Sequence, residues 1–129
     1  MKKERDHIVP LARQVLELLR QLQPLTGECK FVFPSLRSSG GKEQPLSENT
    51  LRMAFMSMGY EKGTMTAHGF RSLASTNLNA QGVDKELIEI QLSHRDGDRI
   101  RAAYNFADRL PERKVMMQNW ADWLDSLYK

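Results

Sequence analysis

The sequence predicts a mainly α fold: one compact helical domain of five or six helices with a short N-terminal strand or hairpin remnant. Three observations carry that expectation. Apolar residues recur at helical spacing in several separate stretches, and Gly or Pro punctuates the stretches where helices would stop. Hydrophobic residues make up 40% of the 129 positions, with two Trp and five Phe, which is enough for a real core.

His7-Ile8-Val9-Pro10 is a β-prone run stopped by proline, the expected strand remnant. Leu11, Val15, Leu18, Leu19 and Leu22 then share a helical face up to Pro24, with Arg13, Glu17 and Arg20 elsewhere on the wheel. From Pro24 to Pro45 the composition is that of a loop, with Phe31-Val32-Phe33-Pro34 as an apolar island and Ser38-Ser39-Gly40-Gly41 as a turn. Ser47 is placed to cap a helix bearing Leu51, Ala54, Phe55 and Met58, which Gly59 ends. Thr66 opens the next helix, where Phe70, Leu73, Ala74, Asn77 and Leu78 follow helical spacing until Gly82. Asp84 is the following N-cap, flanked by Val83 and Ile88 as a hydrophobic staple. A polar loop from Ser93 to Asp98 leads to a short helical run, Ile100 to Phe106. Pro111 fits the first turn of a last helix striped with Met117, Trp120, Trp123, Leu124 and Leu127. The core is expected around Leu18, Leu19, Phe55, Leu73, Leu78 and Leu87.

Charge narrows the function little: 19 Lys and Arg against 16 Asp and Glu permit a nucleic-acid partner without requiring one. Cys29 is the single cysteine, so no internal disulfide forms; it reads as a small buried hydrophobe in a reducing compartment. Arg13, Gln14 and Glu17 interrupt the apolar stretch behind the basic start, so neither a signal peptide nor a membrane span is read, and a soluble intracellular protein is expected. A metal site could be drawn from His68, His94 and Asp96, but no His–x–x–x–His or paired-Cys spacing supports it.

His68 and Arg71 stand three apart at the start of a helix, which puts them on one face near the end rich in N–H groups lacking acceptors. Such a place suits an anion: the guanidinium fork can grip two phosphate oxygens and the helix N-terminus adds a favourable field. Alone, the pair equally describes a solvated helix face. His94 follows the next helix in Leu92-Ser93-His94-Arg95, and Tyr104 lies ten residues on in Ala102-Ala103-Tyr104-Asn105.

In that order, His68-Gly69-Phe70-Arg71, Leu92-Ser93-His94 and Tyr104 resemble the box pattern of the tyrosine recombinases, the phage and prophage integrases. The resemblance covers roughly Thr64 to Tyr104. Met116 to Leu124 also resembles the ending of P4-like prophage integrases, and Met1-Lys2 followed by His7 to Leu11 resembles the hairpin strand that delivers the family's catalytic lysine. The resemblance implies site-specific DNA recombination through a 3′-phosphotyrosyl link. Tyr104 would be the nucleophile and His68 its proton acceptor, since a phenol of pKa about 10 is protonated near neutrality. Arg71 and His94 would hold the non-bridging oxygens, and Lys2 would protonate the leaving 5′-oxygen. The bond energy stays in the phosphotyrosine, so no cofactor is implied. The implied partners are double-stranded DNA at attachment sites, other protomers in a synaptic assembly, and accessory DNA-bending or excision proteins, in the bacterial cytoplasm without a membrane.

The family pattern also contains a first arginine upstream of the lysine hairpin, and Arg5, Arg13 and Arg20 do not match its box. Residues 1–129 are therefore expected to form a truncated catalytic domain, without that arginine and without the family's core-binding domain, weak or inactive alone. Taken one at a time, the residues also carry plainer readings. Tyr104 beside Ala102, Ala103 and Phe106 reads as a packing tyrosine, His94 as a loop histidine, and Lys2 as one of two lysines at a chain start. The Met–Trp stripe reads as core or as a docking face for a second protomer. Arg37, Lys42, Arg95, Arg99 and Arg101 read as surface charges or phosphate contacts. Tyr60 and Tyr128 have no phosphate-binding helix placed to serve them. The competing function is a non-catalytic helical DNA-binding module, whose binding falls with salt and forms no covalent link.

Overall fold

The periodicity and the stop signals become five helices among residues 7–36, 40–93 and 109–128, which the computed structural model describes. They are α1 (Arg13–Thr26), α2 (Glu48–Ser57), α3 (Ala67–Ala80), α4 (Lys85–Gln91) and α5 (Leu110–Ser126). The run expected from Ile100 to Phe106 lies outside the described residues. Contacts sort the chain into two compact units, Met1–Val15 with Ala74–Lys129 and Leu16–Leu73, the division falling inside α1 and α3.

The first unit holds the buried core. Ile88 is fully enclosed and packs with Leu78, Leu87 and Met116, while Val83, Leu92, Met117 and Trp120 close over the cluster. The sequence shows why α4 can seat Ile88 although it is only seven residues long. Gly82, at φ +77°, ends α3 in the left-handed conformation that lets the Val83 N–H reach the Leu78 carbonyl at 3.0 Å, and the chain turns at once into α4. Asp84 then caps α4, its carboxylate accepting from the Glu86 N–H at 3.0 Å, and Val83 packs on the cluster as the staple reading requires. Pro111 stands in the first turn of α5, where its missing N–H costs nothing. On α5 the buried face runs through Arg113, Met116 and Ala121, and Trp120 stacks on Trp123 with centroids 5.0 Å apart.

A polar seam joins the start of α1 to α5 within this unit. The Gln14 Nε2 donates to Asp122 Oδ1 and Asp125 Oδ2, both at 2.8 Å, and Gln118 Nε2 donates to Gln14 Oε1 and Asp122 Oδ1. Those amide donors hold the Asp122 carboxyl below its usual value.

In the second unit, Phe55 on α2 packs against Phe70 at 5.6 Å and edge-on against Tyr60 at 6.4 Å between centroids. Gly59, at φ +93°, closes α2, with the Tyr60 N–H donating to the Phe55 carbonyl at 3.1 Å. The apolar island before Pro34 turns back on the chain near Pro45: Ser35 N–H donates to Gln44 O and Leu46 N–H to Phe33 O. Among the described residues this pairing stays an isolated bridge.

Several expectations differ from the structure. Residues 7–12 form no strand among the described residues; the His7 Nε2–H donates to the Gln91 carbonyl at 3.1 Å and the Arg113 guanidinium donates to the Ile8 carbonyl instead. Helix α1 starts at Arg13 and runs through Pro24 to Thr26, since a proline in a last turn sacrifices one hydrogen bond without stopping the turn. Ser47 occupies the N-cap of α2, but its hydroxyl meets Thr50 Oγ1 at 3.0 Å instead of a backbone N–H. Of the expected core, Leu78 and Leu87 are buried, Leu19 and Phe55 are half-buried, and Leu18 and Leu73 are exposed. Spacing locates an apolar face but not how completely neighbouring elements cover it. Ile88, Ile90 and Met116 fill the enclosed places.

Candidate active site

The site begins at the N-terminal end of α3. Thr66 caps it: its Oγ1 accepts the Gly69 N–H at 2.9 Å. His68 and Arg71 are therefore the second and fifth residues of the 14-residue helix, with His68 exposed and Arg71 half-buried. The first turn of α3 contains no acidic residue, so no side chain of its own neutralises the positive end of the helix dipole. Phe70, between the two, packs on Phe55 and ties this end of α3 to α2. His68 and Arg71 thus share the N-terminal end of α3, where the helix field favours an anion.

Gly69 keeps the space beside this cap open: a methyl there would stand 2.9 Å from Met65 Sδ, on a flexible side chain, and 3.2 Å from Thr66 Oγ1, the oxygen that opens the helix. Thr66→Ala is expected to destabilise the protein by about 1 kcal/mol and Thr66→Ser to restore most of that, measured by urea unfolding.

The other expected site residues, Lys2, His94 and Tyr104, lie outside the described residues. The approach to His94 is described as far as Ser93. Helix α4 ends with Leu92 N–H on the Ile88 carbonyl, and Ser93 adopts φ +53°, a left-handed conformation uncommon for a residue with a side chain. Tyr60 is occupied in the aromatic contact with Phe55, and Tyr128 is 90% exposed near the C-terminal end of α5. Among the described residues, no three His, Cys, Asp or Glu side chains gather as metal ligands. No helix among them is long and apolar enough to cross a membrane.

On the far side of residues 94–108 stands Arg109, a residue the sequence reading did not single out. It grips Glu112 with two donors, Nε at 3.0 Å and Nη2 at 2.7 Å, and reaches Asp84 at 2.7 Å and Glu86 at 3.8 Å. The start of α5 is thereby tied to the cap of α4. The side-chain hydrogen bonds from Arg109 hold the Asp84 and Glu112 carboxyls below their usual values, and those carboxylates raise the arginine further. The pH consequence has a definite sign. A carboxyl depressed in the folded state adds stability that is present above its unfolded pKa of about 4 and is lost as pH falls through the lower folded value. Urea unfolding between pH 6 and 3 is expected to show that loss in the wild-type chain, and Arg109→Gln to flatten the decline.

Comparison with known proteins bears on what this arrangement does. The model of the phage integrase family matches residues 1–109, and the chain belongs to that family. It is 42% identical over 122 residues to the prophage integrase IntA of Escherichia coli, covering 95% of this chain and 29% of IntA. It is 41% identical over 128 residues to the integrase of Enterobacteria phage P4, covering 97% of this chain and 28% of that protein. Against the integrase of Shigella phage Sf6 it is 40% identical over 126 residues, covering 97% of this chain and 32% of the phage protein. The chain thus spans about three-tenths of the length of these relatives. No solved structure matches it.

Proposed function

We propose that this chain is the strand-exchanging part of a tyrosine-type site-specific recombinase that acts on double-stranded DNA at prophage attachment sites. The observation that carries the reading is the capped start of α3, whose own first turn holds no acidic residue, with His68 and Arg71 on it, in a chain that belongs to the phage integrase family. Tyr104 attacks the scissile phosphorus: the phenolic O–P bond forms, the P–O5′ bond breaks, and DNA is left joined to the protein through a 3′-phosphotyrosine. His68 takes the phenolic proton, and Lys2 gives a proton to the departing 5′-oxygen. Arg71 and His94 hold the non-bridging oxygens as charge grows on them. Religation reverses each step, so no cofactor is consumed. Double-stranded DNA and further protomers in a synaptic assembly are the partners this chemistry calls for, with DNA-bending or excision proteins as accessories, in the bacterial cytoplasm.

Strand exchange by the family's pattern uses two arginines on the phosphate, and residues 1–129 contain only the second box. We therefore propose that residues 1–129 are a partial catalytic domain, and that an upstream extension adds the other arginine and a further grip on DNA. Loss of one such donor corresponds to about 3–4 kcal/mol of transition-state stabilisation, by analogy with an oxyanion hole. The experiment uses a nicked attachment-site duplex that traps the cleaved state, read on a denaturing gel. The upstream-extended protein is expected to form a covalent adduct and the 129-residue chain roughly 10²-fold less. Salt-sensitive binding by the extended protein with no adduct at all would instead favour a non-catalytic binding module.

A further inference from the structure

The two compact units differ in how much they enclose. Every buried residue among those described belongs to the first unit, and between Leu16 and Leu73 no described residue is buried. The second unit is nevertheless written as a core-forming sequence. Along α1, Leu18, Leu22 and Leu25 recur at helical spacing on one face; Leu22 is half-buried, while Leu18 is 64% and Leu25 79% exposed. Leu51 on α2 and Leu73 on α3 are exposed as well. The Phe55–Phe70 contact ties α2 to the start of α3, yet Phe70 itself stays exposed.

Single exposed leucines are ordinary on a protein surface, but a row of them along one helix face marks a surface that a partner covers. A stretch of this length that encloses no side chain gains too little from burial to offset the ordering of its backbone. His68 and Arg71 stand on this unit, so the order of the phosphate-binding end of α3 depends on what completes it.

The chemistry of the face selects the occupant. DNA presents phosphates and sugars along its backbone, which offer leucine side chains no apolar cover. The chain spans about three-tenths of the length of the relatives it matches, and the reading above brings the first arginine from an upstream extension. Two arginines that grip one phosphate must both be held within hydrogen-bonding reach of it, so the segment that carries the first must seat against the unit that carries Arg71.

We propose that the Leu18–Leu22–Leu25 face of α1 is the docking seat for an apolar stretch of the upstream part of the same polypeptide, next to the first arginine, and that this contact completes the core of Leu16–Leu73. The inference rests on the recombinase reading, which supplies that arginine.

The test compares the 129-residue chain with the upstream-extended protein, both carrying Cys29→Ala, so that one introduced thiol is labelled by a maleimide. Leu18→Cys and Leu25→Cys are the probes, and Val115→Cys, at a position 60% exposed in the first unit, is the reference. Both probes are expected to react at least about tenfold more slowly in the extended protein, at any protein concentration, while the reference changes less than about threefold. Hydrogen exchange on the unsubstituted proteins reads the same contact without a substitution: amides of Leu16–Leu73 are expected to slow at least about tenfold in the extended protein. Equal probe labelling in the two proteins overturns the proposal, as does slowing that appears only once attachment-site DNA is added. Slowing in the 129-residue chain that grows with protein concentration assigns the face to a second copy and overturns it too. Slow labelling in an extended protein that forms no Tyr104-dependent adduct upholds the seat and overturns the recombinase reading; a normal adduct with equal labelling does the reverse.

Discussion

Arg71→Ala is expected to slow cleavage of attachment-site DNA by roughly 10²–10³-fold, the range found when one pre-aimed donor to a developing oxyanion is removed. The size follows from where Arg71 sits. It is half-buried on the second turn of a helix whose start is capped by Thr66 and carries no acidic residue, so its charge adds to the helix field. Arg71→Lys keeps the charge and loses the two-pronged grip, and is expected between the two. DNA affinity should change far less, with the salt slope of binding reduced by about one phosphate contact. Single-turnover rates at saturating protein, set beside salt titrations, separate the two effects. A rate within threefold of wild type would remove Arg71 from the phosphate site.

Ile88→Ala is expected to produce the largest loss of stability of any single truncation, about 2–5 kcal/mol by urea unfolding. Ile88 is fully enclosed and touches a cluster built from α3, α4 and α5, so the vacated volume opens where three helices meet. Ile88→Val removes one methylene and should cost about 0.5–1.5 kcal/mol. The truncation should also depress catalysis before the protein unfolds, because Leu92, immediately ahead of Ser93 and His94, packs on the same cluster as Ile88. By contrast Leu18→Ala, at a position 64% exposed, should change stability little.

The helices were legible in the sequence because their boundaries are written in local chemistry. Thr66, Gly59, Gly82, Asp84 and Pro111 each act through their own backbone or the next few residues, and each stands where its chemistry predicts. The His68–Arg71 pair was legible for the same reason, since a spacing of three on a helix fixes a shared face. What escaped was long-range. The apolar spacing of α1 gave no sign that Leu18 would stay exposed, and the β-prone letters of His7–Pro10 gave none that Arg113 and His7 would hold that stretch in place of strand pairing. Arg113 did leave a trace. It lies four residues before Met117 and seven before Trp120, a basic residue in register with an apolar stripe, and such a residue is buried only if backbone or side-chain acceptors meet it. Arg109 left less, because its partners Asp84 and Glu86 are more than twenty positions away and only the fold brings them within reach.

The central claim is that Tyr104 becomes covalently joined to DNA, and peptide mapping of the trapped adduct tests it most directly. Tryptic digestion of the adduct formed by the upstream-extended protein, after nuclease trimming, is expected to place a 3′-linked nucleotide on the peptide from Ala102 to Arg109, at Tyr104, and Tyr104→Phe is expected to leave no adduct. A nucleotide mapped to Tyr60 or Tyr128, or an adduct that survives Tyr104→Phe, would contradict the account.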